Sequence, residues 1–148
     1  MSTWWRDAVI YQVYPRSFAD GNGDGIGDLA GVRAHLDHLV DLGVDAIWFS
    51  PWYPSPQADA GYDVADYRDI DPIFGTLAEA ETLISEAHAR GLRIIIDIVP
   101  NHVSSAHPWF QAALASPDAP ERELFWFRSG PGRPTDWEGE FGGPTWTQ

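Results

Sequence analysis

An acid, an amide and an imidazole follow one another after an aliphatic run late in the first hundred residues. The run, residues 92–96 (LRIII), is β-branched and aliphatic except at Arg93, which is typical of a strand buried on both faces of a parallel sheet. Asp97, Asn101 and His102 come directly after it. Because ligands bind at the carboxyl ends of strands in parallel α/β folds, these three side chains are candidates for a functional site. Each could also simply cap a loop or satisfy a polar neighbour.

A second group of chemically capable residues lies in the loop at residues 50–75, which also follows a predicted strand. Asp59, Tyr62 and Asp63 place an aromatic ring between carboxylates. This combination suits a sugar, which needs a stacking face and acceptors for its hydroxyl groups. Tyr62 could equally be a packing residue.

The segment DGNGDGIGD at residues 20–28 places oxygen donors at alternate positions, with glycines that allow a sharp turn. It predicts a site for a hard cation, Ca²⁺ or Mg²⁺. The segment is not a true EF-hand, because Gly31 stands where a bidentate glutamate belongs and a strand leads into the loop. The alternative is a glycine-rich Asx turn in which Asp28 only caps the next helix. The predicted ligands are Asp20, Asn22, Asp24, the Ile26 carbonyl and Asp28.

Alternating strands and helices must position these groups. An amphipathic helix is predicted over residues 29–40, and a second one begins at a capping box formed by Thr76 and Glu79. Gly43 and Gly91 end the two helices. Strand, helix, strand, helix, strand is typical of right-handed βαβ units with a parallel sheet. The three predicted strands are residues 8–14, 44–49 and 92–96.

The pattern changes after His102. A short helix over residues 108–114 is followed by aromatic residues and by turns rich in glycine and proline. This change predicts a different subdomain after the third strand. The three strands have no predicted partners for the edges of their sheet, which indicates an incomplete fold.

Composition excludes several functions. The 148 residues are 44% hydrophobic, enough for a real core, and carry a formal charge of −13. Nucleic acids and anionic membrane surfaces would repel such a chain, so neither is an expected partner. The chain has no cysteine, residues 1–7 do not resemble a signal peptide, and no membrane span is predicted. These features suit a cytoplasmic protein.

Five blocks of this sequence resemble the alpha-amylase family of glycoside hydrolases, specifically its alpha-glucosidase and oligo-1,6-glucosidase branch. They are WWRDAVIYQVYPRSFADGNGDGIGDLAG, GVDAIWFSPWYPSP, GYDVADYRDIDPIFGT, DIVPNH, and HPWF with FGGPTW. The resemblance implies a TIM barrel with an extra domain inserted after the third strand. Residues 1–100 would be the N-terminal part of the barrel, with three parallel strands and two helices. Residues 101–148 would begin the inserted domain.

The resemblance also implies roles for the candidate residues. Asp59 would lie at the closed end of a glucose pocket, Tyr62 would stack under the glucose, and His102 would hydrogen-bond to its hydroxyl groups. Asp97 would be the buried carboxylate at the floor of the site, supported by Asn101 and Asp63. The loop at residues 20–28 would bind its cation for structural reasons rather than for catalysis.

The implied activity is that of a retaining alpha-glucosidase acting on small oligosaccharides such as maltose or isomaltose. The family's nucleophile and acid/base follow strands four and five, so they are expected beyond Gln148, and this chain alone is expected to be inactive. Trehalose synthase, sucrose isomerase and other transglucosylases of the same family are alternatives. Another alternative is a non-catalytic barrel that serves as a binding module.

Overall fold

The computed structural model describes residues 3–140 and 142–147. Part of the segment 1–7 and the phenylalanine of the FGGPTW block therefore lie outside the described residues. The chain forms two compact units, Met1–Pro108 and Trp109–Gln148. Within the described ranges, no helix has the length and apolarity needed to span a bilayer.

The first unit is built on a parallel sheet of three strands, in the order β1, β2, β3. The strands are β1 (Ile10–Val13), β2 (Ala46–Phe49) and β3 (Arg93–Ile96), each within or matching its predicted range. Their register places Val13 beside Phe49 and Phe49 beside Ile96. The carboxyl ends of all three strands therefore lie side by side at one end of the sheet, and Asp97 follows β3 there.

The described residues of this unit form four α-helices and a 3₁₀ turn at Trp4–Arg6, and the α-helices that start at Leu29 and Leu77 begin as predicted. Helix α4 (Leu77–Ala89) starts with the capping box, in which the Thr76 hydroxyl accepts the N–H of Glu79 and the Glu79 carboxylate accepts the N–H of Thr76. It ends before Gly91, whose φ of 82° lies in the left-handed region that favours glycine. The helices are α1 (Pro15–Phe18), α2 (Leu29–Ala34), α3 (Leu36–Asp41) and α4 (Leu77–Ala89).

The predicted helix over residues 29–40 is wrong as one element, because it is divided into α2 and α3 at His35. The His35 ring donates through Nδ1 to the Gly31 carbonyl at 2.8 Å, which is the carbonyl that a continuous helix would bond to the His35 N–H. That N–H turns instead to the Val32 carbonyl at 3.0 Å. The backbone of His35 leaves helical geometry, with φ −111° and ψ 10°.

The core lies between the sheet and its helices. Leu29 from α2, Leu36 from α3, Leu83 from α4, and Ile47 and Phe49 from β2 are fully buried. Strand β3 is less buried than predicted, since Ile94, Ile95 and Ile96 are only half-buried. In the described residues β3 is an outer strand that pairs only with β2, so one edge lacks the neighbour that a barrel would supply.

The second unit contains little regular structure. Helix α5 (Pro108–Ala115) leads to a 3₁₀ turn at Pro120–Leu124, and one antiparallel bridge joins Glu138 to Pro144. The division between the two compact units comes after Pro108, and the domain boundary at residue 100 stays a prediction. The residues just before it are tied to the first unit, for example by the Ser104 N–H, which donates to the Val64 carbonyl at 2.8 Å. That the second unit begins an inserted domain stays a prediction.

Candidate functional site

The loop at residues 50–75 lies against the segment that leaves β3, and this contact brings three predicted site residues together. The Tyr62 hydroxyl donates to Asp97 Oδ2 at 3.1 Å. His102 Nε2 lies 3.0 Å from the Tyr62 carbonyl oxygen. Since a carbonyl only accepts, Nε2 carries a proton, and in the neutral form of the ring Nδ1 is the acceptor. The result is an aromatic ring, a carboxylate and an imidazole at the carboxyl ends of β2 and β3.

The electrostatics of this cluster keep Tyr62 protonated. Partial burial raises the pKa of the Tyr62 hydroxyl, and the hydrogen bond to Asp97 and the charge of Asp97 raise it further. The hydroxyl is therefore a hydrogen-bond donor at neutral pH. Asp97 is half-buried and His102 is exposed, so the imidazole is open to a ligand while the carboxylate is partly enclosed.

Asp63 does not join this cluster but holds the turn beside it. Its Oδ1 accepts from the Ser55 hydroxyl at 2.8 Å and from the Asp59 N–H at 3.0 Å, and its Oδ2 accepts from the Ala58 N–H at 3.0 Å. Partial burial raises the pKa of Asp63, but hydrogen bonds from Asp59, Ser55 and Ala58 outweigh it, and the pKa lies below its ordinary value. Asp63 is thus a charged acceptor that organises the turn leading to Tyr62.

The same turn adopts backbone conformations that side chains usually avoid. Gln57 and Ala60 have φ of 61° and 53°, and Gly61 has φ of 97°. The Tyr14 hydroxyl, at the end of β1, donates to the Ala60 carbonyl at 3.1 Å and fixes the turn from the other side. Such local strain persists only where the surroundings enforce it, and it concentrates at functional sites. Asp59 is exposed on this held turn.

Asn101 is not drawn into the cluster. It is exposed and makes no hydrogen bond to the part of the chain that the structure describes. That Asn101 supports the site stays a prediction.

Several hydroxyl groups around the site were not predicted from the sequence. The Tyr53 hydroxyl donates to the Asp97 carbonyl at 3.0 Å, and the Tyr67 hydroxyl lies 2.6 Å from the Val99 carbonyl and 2.9 Å from the His102 carbonyl. Three tyrosines of the loop, including Tyr62, therefore bind the segment that leaves β3. The available signal was the number of tyrosines in a loop that follows a strand. A sequence does not indicate which backbone carbonyl a tyrosine hydroxyl will bind.

The predicted metal loop folds as a series of Asx turns. Asp20 accepts the N–H groups of Gly23 at 2.6 Å and Gly25 at 2.8 Å, and Asn22 and Asp24 each accept an N–H two residues further on. The hydrogen bonds from Gly25 and Gly23 lower the pKa of Asp20. The loop thus holds its first carboxylate in the ionised form.

The packing at the end of the loop explains why glycine stands at position 31, where an EF-hand has glutamate. Asp28 is buried and caps α2 by accepting the Gly31 N–H at 2.6 Å, and it also accepts the Gly21 N–H at 3.1 Å. A Cβ atom on residue 31 would lie 2.1 Å from the Ala19 carbonyl oxygen, so the close approach of these segments requires glycine there. A glutamate at this position would not fit.

The donor set of the loop fits a hard cation in type, since every candidate donor is an oxygen. No group of three or more His, Cys, Asp and Glu side chains in the described ranges is arranged to hold a metal ion. A cation in this loop would therefore depend on the Asn22 amide oxygen and the Ile26 carbonyl as well as on the carboxylates.

The second unit holds an aromatic cleft of about 630 Å³ that contains none of the predicted site residues. Two of its tryptophans, Trp126 and Trp137, are 79% and 68% exposed. The cleft is lined by Phe110, Leu114, Phe125, Trp126, Phe127, Trp137, Thr145, Trp146 and Thr147.

Comparison with known proteins identifies a family over most of the chain. Residues 12–148 match the model of the alpha-amylase catalytic domain. The chain is 50% identical over 145 residues to an oligo-1,6-glucosidase of Parageobacillus thermoglucosidasius, covering 97% of this chain and 26% of that protein. It is 51% identical over 145 residues to a trehalose-6-phosphate hydrolase of Escherichia coli, with the same coverage of 97% and 26%.

Solved structures agree in fold. The isomaltulose synthase of Protaminobacter rubrum superimposes with a TM-score of 0.96 at 45% identity, over 100% of this chain and 27% of that one. The trehalose-6-phosphate hydrolase of Bacillus licheniformis gives 0.94 at 44% identity, over 99% and 27%. The chain spans about a quarter of the length of the relatives that it matches. The predicted fold, the first three strands of a TIM barrel, is confirmed.

Proposed function

Because this chain belongs to the alpha-amylase family through its catalytic domain, we propose that it forms the first part of the barrel of a retaining alpha-glucosidase. The enzyme would remove glucose from the non-reducing ends of short oligosaccharides. The observation that carries this proposal is the contact of Tyr62 with Asp97 and His102 at the carboxyl ends of β2 and β3. Active sites of TIM barrels are built at that end of the strands.

The chemistry of the cluster suits a glucose ring. The half-buried Tyr62 ring offers a stacking face, and its hydroxyl is fixed by Asp97. With Nε2 engaged by the Tyr62 carbonyl, the exposed His102 can receive a sugar hydroxyl at Nδ1. Asp97 Oδ1 is a further acceptor, so the three residues would orient one sugar by stacking and hydrogen bonds.

Asp59 supports cleavage at chain ends. It is exposed on a turn that Asp63 and Tyr14 hold in place, three residues before Tyr62 in the sequence. A carboxylate there would close the far side of the glucose pocket and stop a longer chain from passing through. We therefore propose small substrates of the maltose and isomaltose type.

The bond-breaking groups are not assigned to this chain. Retaining glycosidases use a carboxylate nucleophile and a second carboxyl group as acid and then base, roughly 5 to 5.5 Å apart. In this family those groups follow the fourth and fifth barrel strands. This chain would bind and orient the sugar, and the complete enzyme would cleave it.

A second candidate activity is isomerisation or transfer. It is favoured by the likeness to the isomaltulose synthase of Protaminobacter rubrum. Such an enzyme would bind the glucosyl group in the same way and pass it to a sugar hydroxyl instead of water. Phosphorylated disaccharides are also candidate substrates, because the chain is as similar to a trehalose-6-phosphate hydrolase as to an oligo-1,6-glucosidase.

Product analysis of the complete protein separates these activities. It would be incubated with maltose, isomaltose, sucrose and trehalose 6-phosphate in turn, with products followed by ¹H NMR. The proposal predicts glucose from maltose or isomaltose, released first as the α-anomer. Conversion of sucrose into isomers of equal mass would favour the second candidate, and no product from any of the four would support a binding module.

We also propose that the loop at residues 20–28 binds Ca²⁺ or Mg²⁺ in a structural role. Its supports are the all-oxygen donor set and the depressed pKa of Asp20. Calorimetric titration of the metal-free complete protein with each cation would test it. Asp24→Asn removes one charge but keeps an acceptor for the Ile26 N–H, and it should weaken binding by at least about tenfold. Unchanged affinity would contradict the proposal.

A cytoplasmic location is proposed on the absence of cysteine alone.

A further inference from the structure

The Tyr67 hydroxyl closes a turn that the backbone does not close. It lies 2.6 Å from the Val99 carbonyl and 2.9 Å from the His102 carbonyl, and so shares its one proton between two acceptors three residues apart. In a common β-turn the first of these carbonyls would accept the N–H of the fourth residue. No such backbone bond joins Val99 to His102 in the part of the chain that the structure describes.

The geometry of this turn determines the position of the His102 imidazole. Val99 is buried, 7% exposed, while His102, at the other end, is exposed and reaches back to the Tyr62 carbonyl. Pro100, inside the turn, has no N–H to donate. The Tyr67 hydroxyl is therefore the side-chain group that ties the backbone of His102 to that of Val99.

Tyr67 is itself held firmly. Its ring centroid lies 5.8 Å from that of Tyr53 and 6.2 Å from that of His107. Burial raises its pKa, so the hydroxyl keeps its proton at neutral pH and remains a donor. The Tyr53 hydroxyl also donates to a backbone carbonyl of this segment. That carbonyl belongs to Asp97, which lies five residues before His102.

We propose that Tyr67 is a positioning residue for His102, holding the Val99–His102 turn so that the imidazole faces the sugar beside Tyr62. The inference rests on the proposed function, in which His102 touches the glucose. It predicts that the hydroxyl of Tyr67 affects catalysis only through His102.

The test is a double-mutant cycle in the complete enzyme, with p-nitrophenyl α-D-glucoside as substrate. Tyr67→Phe removes one oxygen atom and keeps the ring packing, and thermal unfolding verifies that it folds. It should lower kcat/KM by about tenfold, the effect of one hydrogen bond, and should cause no further loss when His102→Ala is already present. Tyr53→Phe is the matched control, and its effect should be the same in both backgrounds. Equal losses from Tyr67→Phe in both backgrounds, or no loss in either, would overturn the inference.

A second measurement does not depend on activity. In ¹⁵N NMR spectra, His102 of the wild type should show a proton fixed on Nε2, and Tyr67→Phe should give shifts averaged between tautomers. An unchanged tautomer in Tyr67→Phe would overturn the inference even in an inactive protein. A wild type that hydrolyses nothing, or full activity in His102→Ala, would refute the proposed function instead, and the NMR result would still decide the role of Tyr67.

Discussion

At the scale of single residues, one carboxylate shapes the turn that carries Asp59 and Tyr62. Asp63 accepts three hydrogen bonds, from the Ser55 hydroxyl and from the N–H groups of Ala58 and Asp59. All three donors belong to the turn that has non-glycine residues at positive φ. The strain of this backbone is offset by an acceptor that only an ionised carboxylate supplies.

Asp63→Asn should therefore destabilise the fold. The new amide presents a donor to N–H and O–H groups that need an acceptor, and the loss should be about 1–3 kcal/mol of unfolding free energy, measured by urea denaturation of the complete protein. Asp66→Asn is the control, because the Asp66 carboxylate accepts one exposed N–H, from Arg68 at 2.9 Å. Equal losses from the two substitutions would contradict this account.

The same carboxylate predicts a pH dependence. The pKa of Asp63 in the folded protein is below its ordinary value of 3.8, so its stabilisation is fully present above about pH 4 and is lost as pH falls through the folded pKa. The amide of the Asp63→Asn variant cannot titrate. The difference in unfolding free energy between wild type and this variant should therefore shrink as the pH is lowered from about 7 to about 3. A difference that stays constant would exclude this role.

Residue types predicted the cluster, and contacts with the backbone completed it. Asp97 and His102 were identifiable because they follow a strand, and Tyr62 because an aromatic ring lies among carboxylates. Tyr53 and Tyr67 could not be recognised, since their partners are carbonyl groups that every residue has. Asn101 has the same sequence argument as His102, and both are exposed, but only His102 makes a hydrogen bond to the loop among the described residues. Position after a strand does not determine which way a side chain faces.

At the scale of elements, the helix after the metal loop shows what periodicity cannot detect. Leu29, Val32, Leu36 and Leu39 keep their spacing and are all fully buried although the helix breaks at His35. Two short helices thus bury the apolar positions that one long helix would bury. The break coincides with a hydrogen bond from the His35 side chain to the Gly31 carbonyl, a contact that hydrophobic periodicity cannot predict.

The start of α4 was predictable because its signal is local. Thr76→Ala removes the acceptor for the Glu79 N–H and one donor to the Glu79 carboxylate. It should cost about 1 kcal/mol of unfolding free energy in chemical denaturation. Thr82→Ala is a matched control inside the same helix, where the hydroxyl only bonds back to the Ala78 carbonyl, and alanine is there the better helix former. Equal costs at the two sites would argue against the capping box.

At the scale of the whole molecule, the described residues leave apolar surface uncovered. Ile10 in the outer strand β1 is 43% exposed, Ile98 after β3 is 68% exposed, and Trp126 in the second unit is 79% exposed. Both outer strands have an unpaired edge in the described sheet. A barrel covers such edges by pairing each with another strand, and the relatives are about four times as long as the aligned part.

The isolated 148 residues should therefore associate and should hydrolyse no alpha-glucoside. Uncovered strand edges and tryptophans favour association, which light scattering of the purified chain would detect. No hydrolysis is expected because the nucleophile and the acid/base of the proposed mechanism are not assigned to these 148 residues. Turnover of maltose by a monomeric preparation free of other glucosidases would contradict the assignment of the reacting groups to a longer protein.

The central claim is that the cluster of Tyr62, Asp97 and His102 binds the sugar of an alpha-glucosidase. The most direct test is kcat/KM of the complete protein on p-nitrophenyl α-D-glucoside, compared between wild type, Asp97→Asn and the surface control Asp41→Asn. The account predicts a loss of about 100-fold for Asp97→Asn, because Asp97 fixes Tyr62 and orients the bound sugar and a small misplacement of a substrate costs about that much, with normal thermal stability and an unchanged activity in Asp41→Asn. Full activity in a folded Asp97→Asn would contradict it.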